Sequence, residues 1–393
     1  MSLYRIKVMN AIAPEGLALF GDRFAVSVGE PDPQGIVVRS SEVRTADFPS
    51  LLGVARAGAG VNNITVTEAT TQGICVFNTP GANANAVAEL VFIMLGICAR
   101  NIHQGMDFCL GLAGYDEAAI KERVEERKNQ FRGFELAGKT LGVLGLGKIG
   151  IRVANAGVRH GMRVIGFDPF PSLENIHQLS PEVRLTRSLT ELLSNSEILS
   201  LHVPLGPKTK GLVNGELIDR LSKGALLVNY ARGPVVDNAA VLAALADGKL
   251  GWYITDFPSA DLVGHPQVIC TPHLGASTEE SEEQCSSMAV RELKDYLEYG
   301  TVSRSVNFPT AESIPAANVH TRLIVINRDI PDMIGFVSHA IGTEGINIIS
   351  YLNESNGSVG YNIIDLEQGM GGAVLERIRT HPGVIRTRTI TYI

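Results

Sequence analysis

No apolar run in the sequence reaches the length of a bilayer span. The longest, residues 86–98, is broken by Glu89 and is too short to cross one. The first ten residues carry no long apolar core of the kind an export signal needs, and they read as a β-strand. Lysine and arginine form no long cluster and the net charge is −7, so neither nucleic acid nor a membrane is an expected partner. The cysteines, Cys75, Cys98, Cys109, Cys270 and Cys285, are odd in number and follow no metal-binding spacing. They imply reduced thiols, a cytoplasmic location and no metal centre. Short repeats and low-complexity tracts are also missing.

Apolar side chains, by contrast, are plentiful: 45% of 393 residues, against 19% charged, which suits two or three separate cores. Strand-like runs at 5–9, 25–28, 35–38, 54–57 and 74–77 alternate with helical stretches and end in an apolar helix at 86–99. Residues 117–132 are rich in Glu, Lys and Arg and read as an exposed helix or connector. A second series follows, with strands at 140–144, 163–167, 198–203, 226–229, 251–255 and 268–270. Asp237 is the expected N-cap of the helix that Gly248 stops. A long helix at 278–299 begins with acidic residues, as the helix dipole favours. Such alternation predicts α/β architecture with mostly parallel sheets. The Pro/Ala/Ser-rich stretch 308–317 reads as a linker, and the βαββαβ order after it predicts a ferredoxin-like domain. A chain cut after about Phe308 is therefore expected to keep its two α/β lobes.

The segment TLGVLGLGKIG (140–150) leaves a strand and opens a helix, with Gly145, Gly147 and Gly150 filling the pattern GxGxxG. The first glycine permits a tight turn, the second lets backbone approach a pyrophosphate, and the third lets the helix pack against the strand. Lys148 and Ile149 lie in the same turn. The next strand ends at Asp168, 18 residues past Gly150, where a carboxylate can accept from both ribose hydroxyls. A carboxylate there repels a 2′-phosphate, so NAD is the expected cofactor. Arg232, Asp256 with Asp261, and His273 follow three later strands, and ligands of such sheets bind at strand carboxyl ends. Histidine suits proton transfer near neutral pH, a carboxylate would hold its ring, and arginine can grip a substrate carboxylate with two parallel hydrogen bonds.

Several segments together resemble the D-isomer-specific 2-hydroxyacid dehydrogenases: RAGAGVNN (56–63), FNTPG (77–81), VAEL (87–90), GKTLGVLGLGKIG (138–150), HVP (202–204), NYARG (229–233) and TPHLGAST (271–278). The resemblance covers nearly the whole chain and is strongest to the branch that oxidises 3-phosphoglycerate with NAD at the start of serine formation. It implies a flavodoxin-like substrate domain (1–100 and 285–308), a Rossmann NAD domain (101–284), a linker (309–317) and an ACT-like domain (318–393). It also implies domain closure about two crossings near residues 100 and 284. Arg232 would be the catalytic arginine and His273 the acid–base histidine. The family's acid falls on Asp261 in an ungapped count from Arg232 and on Ala260 if the Phe-Pro pair is matched instead. Pro204, Ala231 and Asp256 would contact the cofactor, Asp256 at the nicotinamide carboxamide. Arg56 and the amides of Gly58, Ala59 and Gly60 would face a phosphorylated 2-hydroxy acid.

Asn347 stands where a ligand-contacting asparagine is common in ACT domains, while Asp332 replaces the usual glycine. An amino-acid effector site and a purely structural pairing module both stay open, and a homodimer or homotetramer is expected. The alternatives are a glyoxylate or hydroxypyruvate reductase and a corepressor-like NAD sensor without turnover.

Overall fold

The computed structural model describes residues 3–392, so Met1 and Ser2 of the expected N-terminal strand lie outside the described residues. Strands β1 (Tyr4–Met9), β2 (Phe24–Ser27), β3 (Gly35–Val38), β4 (Gly53–Arg56) and β5 (Cys75–Phe77) form a parallel sheet in the order β2-β1-β3-β4-β5. Helices α1 (Pro14–Leu17) and α2 (Val66–Thr71) lie between them in sequence. β3 and β5 are buried at every position, as strands covered on both faces must be. The order is the flavodoxin-like one, with the chain reversing direction across the sheet between β1 and β3.

A second unit runs from Asn83 to Thr278. It opens with α3 (Ala84–Ala99), α4 (Ile102–Leu110) and α5 (Glu117–Arg127), and the last two bury no residue. Its parallel sheet has the order β12-β11-β10-β9-β6-β7-β8. The strands are β6 (Thr140–Leu144), β7 (Arg163–Phe167), β8 (Arg184–Leu185), β9 (Ile198–Leu201), β10 (Ala225–Asn229), β11 (Leu250–Thr255) and β12 (Val268–Cys270). Between them come α6 (Lys148–Arg159), α7 (Leu173–Ile176), α8 (Leu189–Asn195), α9 (Gly215–Asp219) and α10 (Asn238–Ala246). This is the Rossmann order with an extra edge strand. Asp237 caps α10 as expected, accepting from the amides of Ala239 and Ala240.

The boundary differs from expectation. α3 does not belong to the first lobe: Val87, Val91, Leu95 and Cys98 share a core with Leu141, Val153, Ala154 and Val228 of the second unit. Phe92 stacks on His160 with ring centroids 4.6 Å apart. The crossings therefore fall at 82/83 and 278/279 instead of near 100 and 284.

From Glu279 the chain returns to the first unit. α11 (Glu279–Tyr299) lies on β3 and β4, where Gly35 and Gly53 leave room: a Cβ on either would come within 3.1 Å of a Leu293 methyl. Then β13 (Thr321–Arg328), α12 (Met333–Gly342), β14 (Ile348–Ser355), β15 (Val359–Leu366), α13 (Gly372–Arg379) and β16 (Val384–Thr391) make an antiparallel sheet in the order β14-β15-β13-β16. One face carries α12 and α13 over Leu323, Val325, Ile364 and Leu366. The other face turns Ile324, Tyr361, Ile363 and Ile390 into the same core as Tyr296, Leu297 and Phe308.

The expectation of a tethered, separately folding tail is thus corrected. Arg322 is 0% exposed and uses all five of its N–H donors: two on Asp365 (2.6 and 2.8 Å), one on the Tyr299 carbonyl (2.8 Å) and two on Ser313 (2.7 and 3.1 Å). The expected linker is pinned as well, because Val302 and Ala311 exchange both backbone bonds. Arg388 reaches the Tyr296 and Leu297 carbonyls at the end of α11, and Arg386 reaches the Leu51 carbonyl at 2.6 Å.

Removing one partner of a buried ion pair leaves the other uncompensated. Arg322→Met should destabilise the protein by about 3–5 kcal/mol, read as a lowered urea midpoint. A chain ending at Phe308 should lose cooperative unfolding, since Tyr296 and Leu297 would be laid bare. Wild-type midpoints for either protein would contradict this packing.

Candidate active site

In the second unit, β6 ends at Leu144 and α6 starts at Lys148, so Gly145–Gly147 must turn the chain sharply. Gly145 has φ +96°, and a Cβ there would stand 2.8 Å from the His202 carbonyl group. A Cβ on Gly150 would come within 1.9 Å of the Gly145 oxygen, so only glycine lets the helix sit this close. Gly147 has no atom within 4 Å of the position its Cβ would take. That open space lies at the N-terminus of a twelve-residue helix, where free amides favour an anion. The cradle fits a dinucleotide pyrophosphate.

Asp168 follows β7 and accepts from the Leu146 amide (2.8 Å) with one oxygen and from the Phe170 amide (2.8 Å) with the other. It closes the glycine turn and keeps further lone pairs for ribose hydroxyls. The Lys148 ammonium pairs with Glu174 at 2.6 Å. Ile149 is half-buried. Pro204 is exposed and its carbonyl accepts from Thr209, while Ala231 is buried and its carbonyl accepts from Arg232 at 2.7 Å.

Three parallel strands bring the polar candidates to one edge. The register sets Asn229, Thr255 and Cys270 side by side at the ends of β10, β11 and β12. Arg232, Asp256 and His273 each follow within three residues. Asn229 is fully buried and holds the Arg232 turn, donating to the Arg232 carbonyl and accepting from the Ala231 amide.

Asp256 is 2% exposed. Its carboxylate accepts from the Thr271 hydroxyl (2.6 Å) and the amides of Leu274 and Gly275 (2.7 Å each). It is the hub of the loop that carries His273. His273 itself is exposed, with φ +58°, a left-handed conformation that costs a non-glycine residue energy and must be held by its surroundings. Its amide donates to the carbonyls of Asp256 and Thr271, and its ring meets Phe257 edge-on at 5.2 Å. Asp261 is exposed, and no hydrogen bond or ion pair joins it to His273 among the described residues. The structure thus brings Asp256, not Asp261, into the frame of the histidine.

Sequence reasoning assigned no role to His202. Its Nε2 lies 2.8 Å from the Ser200 hydroxyl under the glycine turn, and burial pushes its pKa down to about 3. The HVP motif was visible, but nothing in the string shows that this ring is enclosed.

In the first unit, Arg56 ends β4. Its Nε donates to the Arg39 carbonyl (2.9 Å) and Nη1 to the Gly60 carbonyl (2.6 Å), so the guanidinium lies across the 58–60 turn. A Cβ on Gly58 would strike Nη1 at 2.7 Å. The Gly58 amide is taken by the Arg56 carbonyl, whereas those of Ala59 and Gly60 bond no described residue.

Residues 104–275 match the family model described as D-isomer specific 2-hydroxyacid dehydrogenase, NAD binding domain. A D-3-phosphoglycerate dehydrogenase of Haemophilus influenzae is 32% identical over 388 residues, 95% of this chain and 90% of that protein. One of Bacillus subtilis is 37% identical over 284 residues, 70% of this chain but 51% of the relative, so the chain spans about half the length of that protein. A solved NAD-bound 3-phosphoglycerate dehydrogenase of Entamoeba histolytica superposes with a TM-score of 0.62 at 27% identity, over 78% of this chain and 99% of that one.

Burial of His202 makes stability depend on pH. The folded ring stays neutral while the unfolded ring titrates at its ordinary 6.5. Between about pH 6.5 and 3 the unfolded state therefore binds the extra proton, and stability falls as pH falls. Above pH 6.5 the group contributes no pH dependence. The urea midpoint of His202→Gln, relative to wild type, should rise as pH drops from 7 to 4.5; parallel profiles would contradict a buried neutral ring.

Proposed function

Because the chain belongs to the D-isomer-specific 2-hydroxyacid dehydrogenases, we propose that it oxidises 3-phospho-D-glycerate to 3-phosphohydroxypyruvate with NAD, the first step of serine formation. The observation that carries this reading is the row of Arg232, Asp256 and His273 at adjacent strand ends, in the same unit as the glycine turn and Asp168. The similarity to phosphoglycerate dehydrogenases, one along almost the full length, supports the phosphorylated substrate.

In this reading Arg232 grips the C1 carboxylate through paired N–H donors, which fixes the C2 carbon and its hydroxyl. His273 accepts the C2 hydroxyl proton as the carbonyl forms, and returns it in the reverse reaction. Bound NAD supplies the acceptor for the hydride that leaves C2. Asp256 keeps the His273 loop in its strained turn. Within the first unit, Arg56 and the amides of Ala59 and Gly60 form the turn suited to an anionic phosphoryl group. Asp168 excludes the 2′-phosphate of NADP.

A cytoplasmic homodimer or homotetramer is part of the same proposal; Ile93, Ile102, Met106 and Leu110 expose an apolar strip along α3 and α4 that suits self-association. Among the described residues no single helix is long and apolar enough to cross a membrane. Asp332 begins α12 with φ +69° and its side chain caps no amide there, so a carboxylate stands at the start of that helix. Serine inhibition is accordingly proposed to be weak or absent.

NADH formation should be fast with 3-phosphoglycerate and much slower with glycerate or D-lactate, and NADP should support little turnover. His273→Ala should lower kcat by ~10²–10⁴. Equal kcat/KM for glycerate and 3-phosphoglycerate would sink the substrate assignment, and wild-type turnover in His273→Ala would remove the histidine from the chemistry. Turnover unaffected by millimolar serine is expected; inhibition at micromolar serine would overturn the regulatory reading.

A further inference from the structure

Arg39 was not among the residues that the sequence singled out, yet the backbone from Arg39 to Ser41 is held from both sides. Asn10, in a left-handed conformation at φ +74°, accepts from the amides of Ser40 (2.9 Å) and Ser41 (2.8 Å). Asn63 donates to the Ser41 carbonyl (2.7 Å), and the Arg39 carbonyl accepts from Arg56 Nε. The main chain is pinned on both sides, and the guanidinium head remains the part that can swing.

That head pairs with Glu282 in the first turn of α11, Nη1 to Oε1 at 2.6 Å. The two side chains are 34% and 40% exposed. The contrast with Arg322–Asp365, at 0% and 4%, decides what kind of pair this is. The buried pair is a fixture, because separating it strands a charge in the core. The Arg39–Glu282 pair is half in water, where either ion can be resolvated and exchanged for another partner.

Both arginines bear on one place. The Cys285 thiol is buried, its pKa raised first by that burial, and it feels the positive charge of Arg39 and of Arg56. The Arg56 guanidinium lies across the 58–60 turn and is bonded through Nε to the Arg39 backbone, while the Arg39 head is paired to Glu282.

We propose that Glu282 is a resident counter-anion on Arg39, displaced by the phosphoryl end of the substrate, and that it sets how tightly that end is held. The inference rests on the reading of a phosphorylated 2-hydroxy acid as substrate. A phosphate monoester carries nearly two negative charges at neutral pH and three acceptor oxygens, so it can compete with a single carboxylate for Arg39. An uncharged hydroxymethyl group cannot, and leaves the pair intact. Glu282 therefore weakens phosphate binding without touching the affinity for unphosphorylated acids, and a pair that re-forms on release favours departure of a phosphorylated product.

The test is calorimetric titration of 3-phosphoglycerate, inorganic phosphate and glycerate into wild type, Glu282→Gln, Glu282→Ala, Arg39→Gln and the Arg39→Gln/Glu282→Gln double variant. Removing a half-exposed pair should tighten 3-phosphoglycerate and phosphate binding by ~2–5-fold in both Glu282 variants. Glycerate binding should not move. In the Arg39→Gln background the Glu282 change should do nothing, because the two act through one another. KM for 3-phosphoglycerate should fall with the dissociation constant. Unchanged phosphate affinity in both Glu282 variants, or the same gain with Arg39 already replaced, would overturn the inference while wild-type turnover of 3-phosphoglycerate left the substrate reading standing. A wild type that binds glycerate as tightly as 3-phosphoglycerate would instead sink the substrate reading, and the inference with it.

Discussion

One buried carboxylate organises the loop that carries His273. Asp256 sits at the end of a parallel strand with its oxygens filled by one hydroxyl and two amides of the loop after the next strand. Those bonds are short and charge-assisted, the strong kind. They hold His273 in a left-handed turn that it would not adopt by itself. Without that anchor the histidine is an exposed loop residue. With it, the ring has a fixed point of departure, and two strands away the Arg232 turn is set by the buried amide of Asn229. The parallel sheet supplies the rest, since strands in register deliver their following residues to one edge.

The first unit is built on a comparable constraint. Arg322 is enclosed by five acceptors drawn from a strand, the end of α11 and the supposed linker. One side chain therefore ties the C-terminal sheet to the helix that covers β3 and β4. A ligand that deformed the C-terminal sheet would act directly on α11, whose first turn carries Glu282. Any effect would still need unequal affinity for two states of that packing.

Much of this was legible in the string. The glycine turn, Asp168, the strand series and the positions of Arg232, Asp256 and His273 follow from spacing, because a parallel sheet converts sequence order into a common edge. Three things were not. The apolar run 86–98 announces burial but not which sheet buries it, and α3 went with the second unit. Arg322 looks like an exposed charge in an alternating strand; only its five acceptors, from three distant segments, make it a core residue. The carboxylate that holds the His273 loop could not be read from the string, since Asp256 and Asp261 differ by burial and by bonds to residues 271–275, which no count along the chain reveals.

The central claim is that Asp256 acts through the His273 loop. Asp256→Asn separates this from a direct contact with the nicotinamide when kcat and the NAD dissociation constant are measured side by side, with amide exchange of Leu274 and Gly275 followed by NMR. The account predicts a fall in kcat on the order of 10²-fold from misplacement of the ring, faster exchange of those amides and near-normal NAD affinity. A large loss of NAD affinity with kcat and the amide exchange preserved would contradict it.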